Sequence, residues 1–74
     1  MINYEEQISR FAEEFVYDEI EKTKNPSYVP YFFMMDIAKS LSLIYSREYI
    51  DTYNDLLNRK NKILSGSYRN PSKY

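Results

Sequence analysis

The sequence contains no cysteine and no histidine, has no tryptophan, and has one glycine among its 74 residues. Without cysteine there are no disulfides, and without either residue type the usual ligands for zinc and haem are missing. The same absence excludes Ser-His-Asp and Cys-His catalytic groups, which depend on those side chains near neutral pH. One glycine does not supply the glycine-rich loop that holds nucleotide phosphates. We therefore expect no cofactor, no metal centre and no enzymatic activity.

Carboxylate pairs are the remaining candidates for chemistry. Glu14 with Asp18 and Asp51 with Asp55 are each four residues apart, the spacing that places two side chains on one side of a helix. A di-iron helical bundle needs a Glu-x-x-His pattern, which a histidine-free chain lacks. We interpret both pairs as solvated helix surfaces.

Long hydrophobic runs are also absent. The most apolar stretch, residues 28–35, is eight residues long and is followed by Asp36. A membrane-spanning helix needs about 20 apolar residues. Met1 is not followed by the basic start and apolar core of a signal peptide. Together with the missing cysteine, these features predict a soluble, cytoplasmic protein.

The first of three predicted helices covers residues 4–24. Asn3 is a suitable N-cap and Glu6 completes a capping box, while Asn25-Pro26 ends the helix because the residue before proline is disfavoured in the α conformation. Apolar residues recur at spacings of three and four, which indicates one buried stripe: Tyr4, Ile8, Phe11, Ala12, Phe15, Val16 and Ile20.

The second predicted helix covers residues 27–45, with Ser27 as its cap and Pro30 in its first turn. Its predicted buried face contains Phe33, Ile37, Leu41 and Ile44, while Phe32, Met35 and Leu43 lie off that face. A helix that is apolar nearly all round is either central or covered by another molecule. A strand over residues 28–35 is the alternative, but a single strand has nothing to pair with.

The third predicted helix covers residues 46–65, with Ser46 as its N-cap and Gly66 as a left-handed C-cap. Its predicted stripe consists of Tyr49, Ile50, Tyr53, Leu56, Leu57, Ile63 and Leu64. The sequence thus predicts an all-α fold, a small bundle of three antiparallel helices within residues 1–66. Residues 67–74 are polar and basic, and we expect a flexible tail.

Two surface signals indicate where another molecule would bind. Nine tyrosines are more than so small a core accommodates, and tyrosine is enriched in protein interfaces. Residues 1–21 carry seven acids and one arginine, whereas the last sixteen residues are basic and contain no acid. An ordinary solvated surface, and AT-rich coding for the tyrosines, remain alternatives. The predicted partner-binding residues are Tyr28, Tyr31, Phe32, Met35, Leu43, Tyr45, Arg59, Lys60, Lys62, Tyr68 and Arg69.

The leading functional hypothesis is a small protein-binding inhibitor or adaptor that acts by occupying a partner surface. Residue types with AT-rich codons dominate, which favours a phage or mobile-element origin and proteins such as antitoxins, immunity proteins and anti-CRISPR inhibitors. A homodimer is a further partner hypothesis, arising from acidic against basic ends. No membrane partner is expected.

The alternative is a DNA-binding transcriptional regulator, with a degenerate helix-turn-helix over about residues 35–58. Residues 36–43 are similar to the start of a helix-turn-helix, with Ala38 at the close-packed position and Ser42 at the usual glycine site. Glu48, Asp51 and a net charge of −1 argue against it, because acids repel phosphates. A self-assembling structural bundle is the third hypothesis.

Overall fold

A computed structural model describes residues 2–66, which form three helices and contain no strand. They are α1 (Tyr4–Lys24), α2 (Met34–Ile44) and α3 (Tyr49–Ser65). The predicted all-α three-helix bundle is confirmed. Within the described residues no helix is both long and apolar enough to cross a membrane. The predicted tail, residues 67–74, lies outside the described part of the chain.

Local signals define α1, and both of its predicted ends are confirmed. The Asn3 side chain accepts a hydrogen bond from the Glu6 amide at 2.8 Å, and the Glu6 carboxylate accepts one from the Asn3 amide. This capping box satisfies amide groups that the first turn leaves without helical partners. At the other end Asn25 has an extended backbone conformation before Pro26.

The prediction that the second helix begins at residue 27 is wrong, because α2 begins at Met34 after the N-cap residue Phe33. Residues 25–33 form a non-helical segment, here named the strap. Aromatic and β-branched residues are weak helix formers, and proline lacks the amide donor. From Tyr28 to Met35 the residues alternate between half-buried and exposed, which is the period of an extended chain. Ser27 therefore caps no helix.

The start of the third helix also differs from the prediction. Ser46 is not the N-cap; its backbone lies in the left-handed region with φ of 55°, and Glu48 is the N-cap of α3. Such a conformation is uncommon outside glycine and reverses the chain direction within a short turn. The prediction for Gly66 is confirmed, with φ of 85° at the C-cap.

Consecutive helices run in opposite directions. Along α1 the chain from the strap to α2 contacts Phe11 first, through Phe32, and Tyr4 last, through Tyr45. Helix α3 packs extensively against both other helices, whereas α1 and α2 contact each other over a small area. α3 is therefore the central element of the bundle.

The core consists of few residues. Ile8, Ala12 and Leu56 are fully buried, and Leu41 is almost so. Two buried polar residues, Ser42 and Thr52, donate their hydroxyl hydrogens to backbone carbonyls of the preceding helical turn, so neither is left unsatisfied. Five residues predicted to be buried are exposed instead, because no further helix or strand within residues 2–66 covers them: Ile20, Phe33, Ile44, Ile50 and Leu64.

We expect Leu56→Ala to lower the free energy of unfolding by about 2–5 kcal/mol, because it leaves a cavity in the centre of this core. The measurement is urea denaturation followed by circular dichroism. Leu64→Ala, on the same helix at a side chain that is 40% exposed, is the matched control and should cost far less. Equal losses would contradict this description of the core.

Candidate functional site

The strap is fixed to α1 by its inward-facing side chains. The Tyr28 hydroxyl donates a hydrogen bond to Asp18 Oδ1 at 2.7 Å. Phe32 packs edge-to-face on Phe11, with 5.5 Å between ring centroids. Tyr31 in turn packs edge-to-face on Phe32 at 4.8 Å. The inner residues thus hold the strap in place while its outer residues face solvent.

The outer surface of the strap and α2 carries the most exposed hydrophobic residues of the described chain. Tyr31 is 85% exposed, Val29 75% and Leu43 74%. No other large hydrophobic residue within residues 2–66 is as exposed as these, Ile44 and Met35. We name the exposed large hydrophobic residues of the strap and α2 the outer face; it consists of Val29, Tyr31, Phe33, Met35, Leu43 and Ile44.

A groove of about 550 Å³ lies on the outer face beside α3. Met35 and Leu43 line it together with Tyr49 from the first turn of α3, and Asp36 and Lys39 supply its charged groups. Apolar walls with a few polar groups are typical of surfaces that bind another molecule. A smaller depression of about 290 Å³ lies between α1 and α3, lined by Val16, Tyr17, Ile20 and Ile63 with two glutamates.

Several predicted partner-binding residues lie on or next to the outer face. Tyr31, Met35 and Leu43 belong to it, and Phe32 lies directly beneath Tyr31. The sequence prediction omitted Val29, Phe33 and Ile44. Residues 28–35 are apolar throughout, so the sequence shows no alternation that could have identified the first two. The strand alternative over these residues was set aside in favour of a helix over residues 27–45.

The hydroxyl groups of Tyr28 and Tyr45 both donate hydrogen bonds to other groups of the same chain. Tyr45 donates to the Ile2 carbonyl at 2.9 Å, and its ring packs edge-to-face on Tyr4 at 5.6 Å. The hydrogen bond to Asp18 and, as a smaller cause, partial loss of hydration raise the pKa of Tyr28 to about 12. These two tyrosines attach the strap and the end of α2 to α1.

The predicted basic residues of α3 are also engaged within the molecule. Arg59 donates to Asp55 Oδ1 at 2.8 Å and to Ser9 Oγ at 2.8 Å, and it forms an ion pair with Glu5. Lys60 binds Glu19 at 2.9 Å. Two bases of α3 therefore pair with acids of α1 inside one chain. Lys62 is exposed, while Tyr68 and Arg69 lie outside the described residues.

A polar cluster centred on Asp55 joins the beginning of α1 to α3. The Tyr4 hydroxyl donates to Asp55 Oδ2 at 2.8 Å, and the Arg47 guanidinium lies 3.6 Å from the centre of the Tyr4 ring. Partial burial by itself lowers the pKa of Arg59, but hydrogen bonds to Asp55 and Glu5 outweigh it and raise that pKa. The arginine therefore stays charged, and the cluster stabilises the bundle.

This cluster lacks the features of a reactive centre. Within residues 2–66 every buried side-chain nitrogen and oxygen has a hydrogen-bond partner. No group of three or more acidic side chains in that range is arranged to hold a metal ion. The cluster joins two helices, and the outer face is the better candidate for the functional site.

In the structure the turn between α2 and α3 lies at a later residue than the helix-turn-helix comparison placed it. Ala38 is fully buried, as its close-packed position requires. Ser42, however, lies buried within α2 and not at the turn, so its placement at the glycine site is wrong. The left-handed turn residue is Ser46, four residues later.

We expect Arg59→Gln to lower the free energy of unfolding by about 1–2 kcal/mol, because it leaves the partly buried Asp55 without its cation. The contribution of Glu5 is small because that side chain is largely exposed. Lys24→Gln is the matched control: its 3.9 Å contact with Glu21 is exposed and should contribute little. Urea denaturation measures both, and equal effects would contradict a structural role for the cluster.

The stability of the fold should also depend on pH through Tyr4. Burial and, as a smaller cause, the hydrogen bond to Asp55 raise the pKa of Tyr4 from 10.0 to about 12. The neutral phenol is thus favoured in the folded state, and its contribution is complete below pH 10 and lost as the pH rises towards 12. Tyr4→Phe should make the unfolding free energy fall less steeply across this range. An unchanged slope in urea denaturation at several pH values would refute this assignment.

Comparison with known proteins does not add a functional assignment to this geometry. The chain has no significant match to any protein-family model, curated protein or solved structure.

Proposed function

We propose that this protein is a non-enzymatic binding module that recognises another protein through the outer face. The observation that carries the proposal is the concentration of the most exposed hydrophobic side chains on the strap and α2. A concentration of exposed apolar side chains on one region of the surface often marks a binding site, because the hydration of apolar side chains is unfavourable. Burial against a protein partner relieves that cost.

The edge-to-face ring contacts of the strap support this proposal. Tyr31 is 85% exposed, yet its ring rests on Phe32, which is itself packed on Phe11. A ring held in this way loses little conformational freedom when a partner covers it. Tyrosine is also among the residues that contribute most of the binding energy at interfaces. We infer that Tyr31 and Leu43 are the principal anchors.

The proposed mode of action is occupation of the partner surface. A protein of this kind inhibits or links its target by steric exclusion, which needs anchors and no reactive groups. AT-rich coding and the small size favour a phage or mobile-element inhibitor, of the antitoxin, immunity or anti-defence kind, within the cytoplasm.

A second candidate function is DNA recognition through α3. Ser46 has a positive φ in the turn between α2 and α3, and the turn of helix-turn-helix proteins often contains glycine, which adopts that conformation readily. Asn54, Asn58 and Asn61 are exposed along α3, and asparagine hydrogen-bonds adenine in the major groove. Exposed Asp51 opposes this alternative, since an acid repels phosphate. We therefore rank it second.

The proposal predicts that Leu43→Asp weakens partner binding by about 30-fold or more, the effect of removing an interface hot spot. Leu43 is 74% exposed, so this substitution should leave the unfolding transition unchanged. The tagged protein is used to capture its target from cells that encode it, and the captured protein is then purified. Its affinity for the wild type and the variant is measured by titration calorimetry.

Asn58→Asp is the matched control, since it places the same charge on the exposed surface of α3. Protein binding that survives Asn58→Asp and is lost with Leu43→Asp supports the proposal. The opposite pattern, with nucleic acid recovered in place of a protein, would favour the second candidate. Binding that ignores both substitutions would refute both.

A further inference from the structure

Two unpaired charges lie in the middle of the outer face. Asp36 and Lys39 are exposed on α2, between Met35 on one side and Leu43 on the other. Neither side chain forms an ion pair with another described residue. Elsewhere Arg59 and Lys60 are paired within the molecule. The outer face thus has opposite charges in a fixed order and no partner for either.

We propose that the outer face also binds a second copy of this chain, with the two α2 helices antiparallel about a two-fold axis. The inference rests on the proposed function, because it assigns one partner to the same protein-binding surface. A two-fold interface brings the same patch together from both copies, so the patch must complement itself. The outer face complements itself in its charges and in its apolar side chains.

Charge order gives the first part of the complementarity. A two-fold axis that lies between the two helices, perpendicular to them and level with the midpoint of residues 37 and 38, reverses the order of α2 in the second copy. Asp36 then lies level with Lys39 of the second copy, and Lys39 lies level with its Asp36. Two attractive pairs form, one on each side of the axis, and no like charges face each other. Opposite charges fix register and orientation in such interfaces.

The apolar ends of the outer face give the second part. Along the helix, Leu43 lies about 8 Å from the level of this axis, because each helical residue rises about 1.5 Å. The two-fold axis places Leu43 of the second copy at the same distance on the other side. One leucine therefore lies beyond each charge pair. Apolar side chains flank the two charge pairs symmetrically.

The charges of the outer face favour this occupant over a strongly charged one. Asp36 and Lys39 cancel, so the outer face offers no net attraction to a basic peptide or to an anionic polymer. Self-pairing and binding of a different protein use the same residues and exclude each other. Dimerisation would then limit the amount of monomer that is free to bind the target, which is a form of regulation by concentration.

A charge-reversal pair tests the inference with the full chain in solution. Asp36→Lys alone places lysine opposite Lys39 of the second copy, and Lys39→Asp alone places two aspartates opposite each other. Each variant alone should dimerise about 100-fold more weakly than the wild type, because both attractive pairs become repulsive. An equimolar mixture of the two variants should associate about as strongly as the wild type, since every pair is attractive again. Sedimentation equilibrium over a range of concentrations measures all three.

Glu14→Lys is the matched control, a charge reversal at an exposed site on α1, and should dimerise like the wild type. Circular dichroism checks that each variant is folded, and all these positions are exposed. A wild type that remains monomeric up to submillimolar concentration would overturn the inference. So would a dimer whose strength ignores both reversals, or variants whose mixture does not associate.

These outcomes are separable from those of the proposed function. A monomeric wild type that still captures a target through Leu43 would remove the second copy and leave the protein-binding function in place. A dimer that responds to the charge reversals, with no Leu43-dependent target in the cell, would show that the outer face serves self-association alone.

Discussion

The edge-to-face contact between Phe11 and Phe32 is the interaction on which the outer surface depends. It holds the strap against the middle of α1, and the hydrogen bond from Tyr28 to Asp18 holds the strap about two turns further along that helix. Phe32 is half-buried against Phe11, and its two neighbours in the chain, Tyr31 and Phe33, are left exposed. The exposure of these rings is therefore a consequence of packing inside the protein.

The sequence predicted the fold class and α1 correctly because those depend on local rules. Capping by Asn3, the stop before Pro26 and a regular apolar stripe act within a few residues of each other. The strap was missed because its conformation depends on Phe11 and Asp18, which are distant in sequence. Residues whose burial alternates in the structure were therefore predicted to form a helix. Of the predicted partner-binding residues, Tyr31, Met35 and Leu43 lie on the outer face, whereas Val29 and Phe33 of the misread strap were not predicted.

Charge shows the same limit in another form. The sequence shows an acidic beginning and a basic end, which suggested attraction between molecules. In the structure the two regions lie side by side, and Arg59 and Lys60 bind acids of α1. Asp36 and Lys39 are inconspicuous in the sequence, yet they remain unpaired on the outer face. A charge becomes informative about binding only when its neighbours in space are known.

The position of Pro30 in the strap has a consequence for solubility. An exposed segment rich in aromatic and β-branched residues resembles the strands from which fibrils grow. Proline has no amide hydrogen to donate, so a neighbouring chain cannot continue a hydrogen-bonded ladder past residue 30. Pro26 lies just before this segment and restricts the residue that precedes it. The strap is thus open to side-chain recognition while its backbone is protected from cross-β stacking.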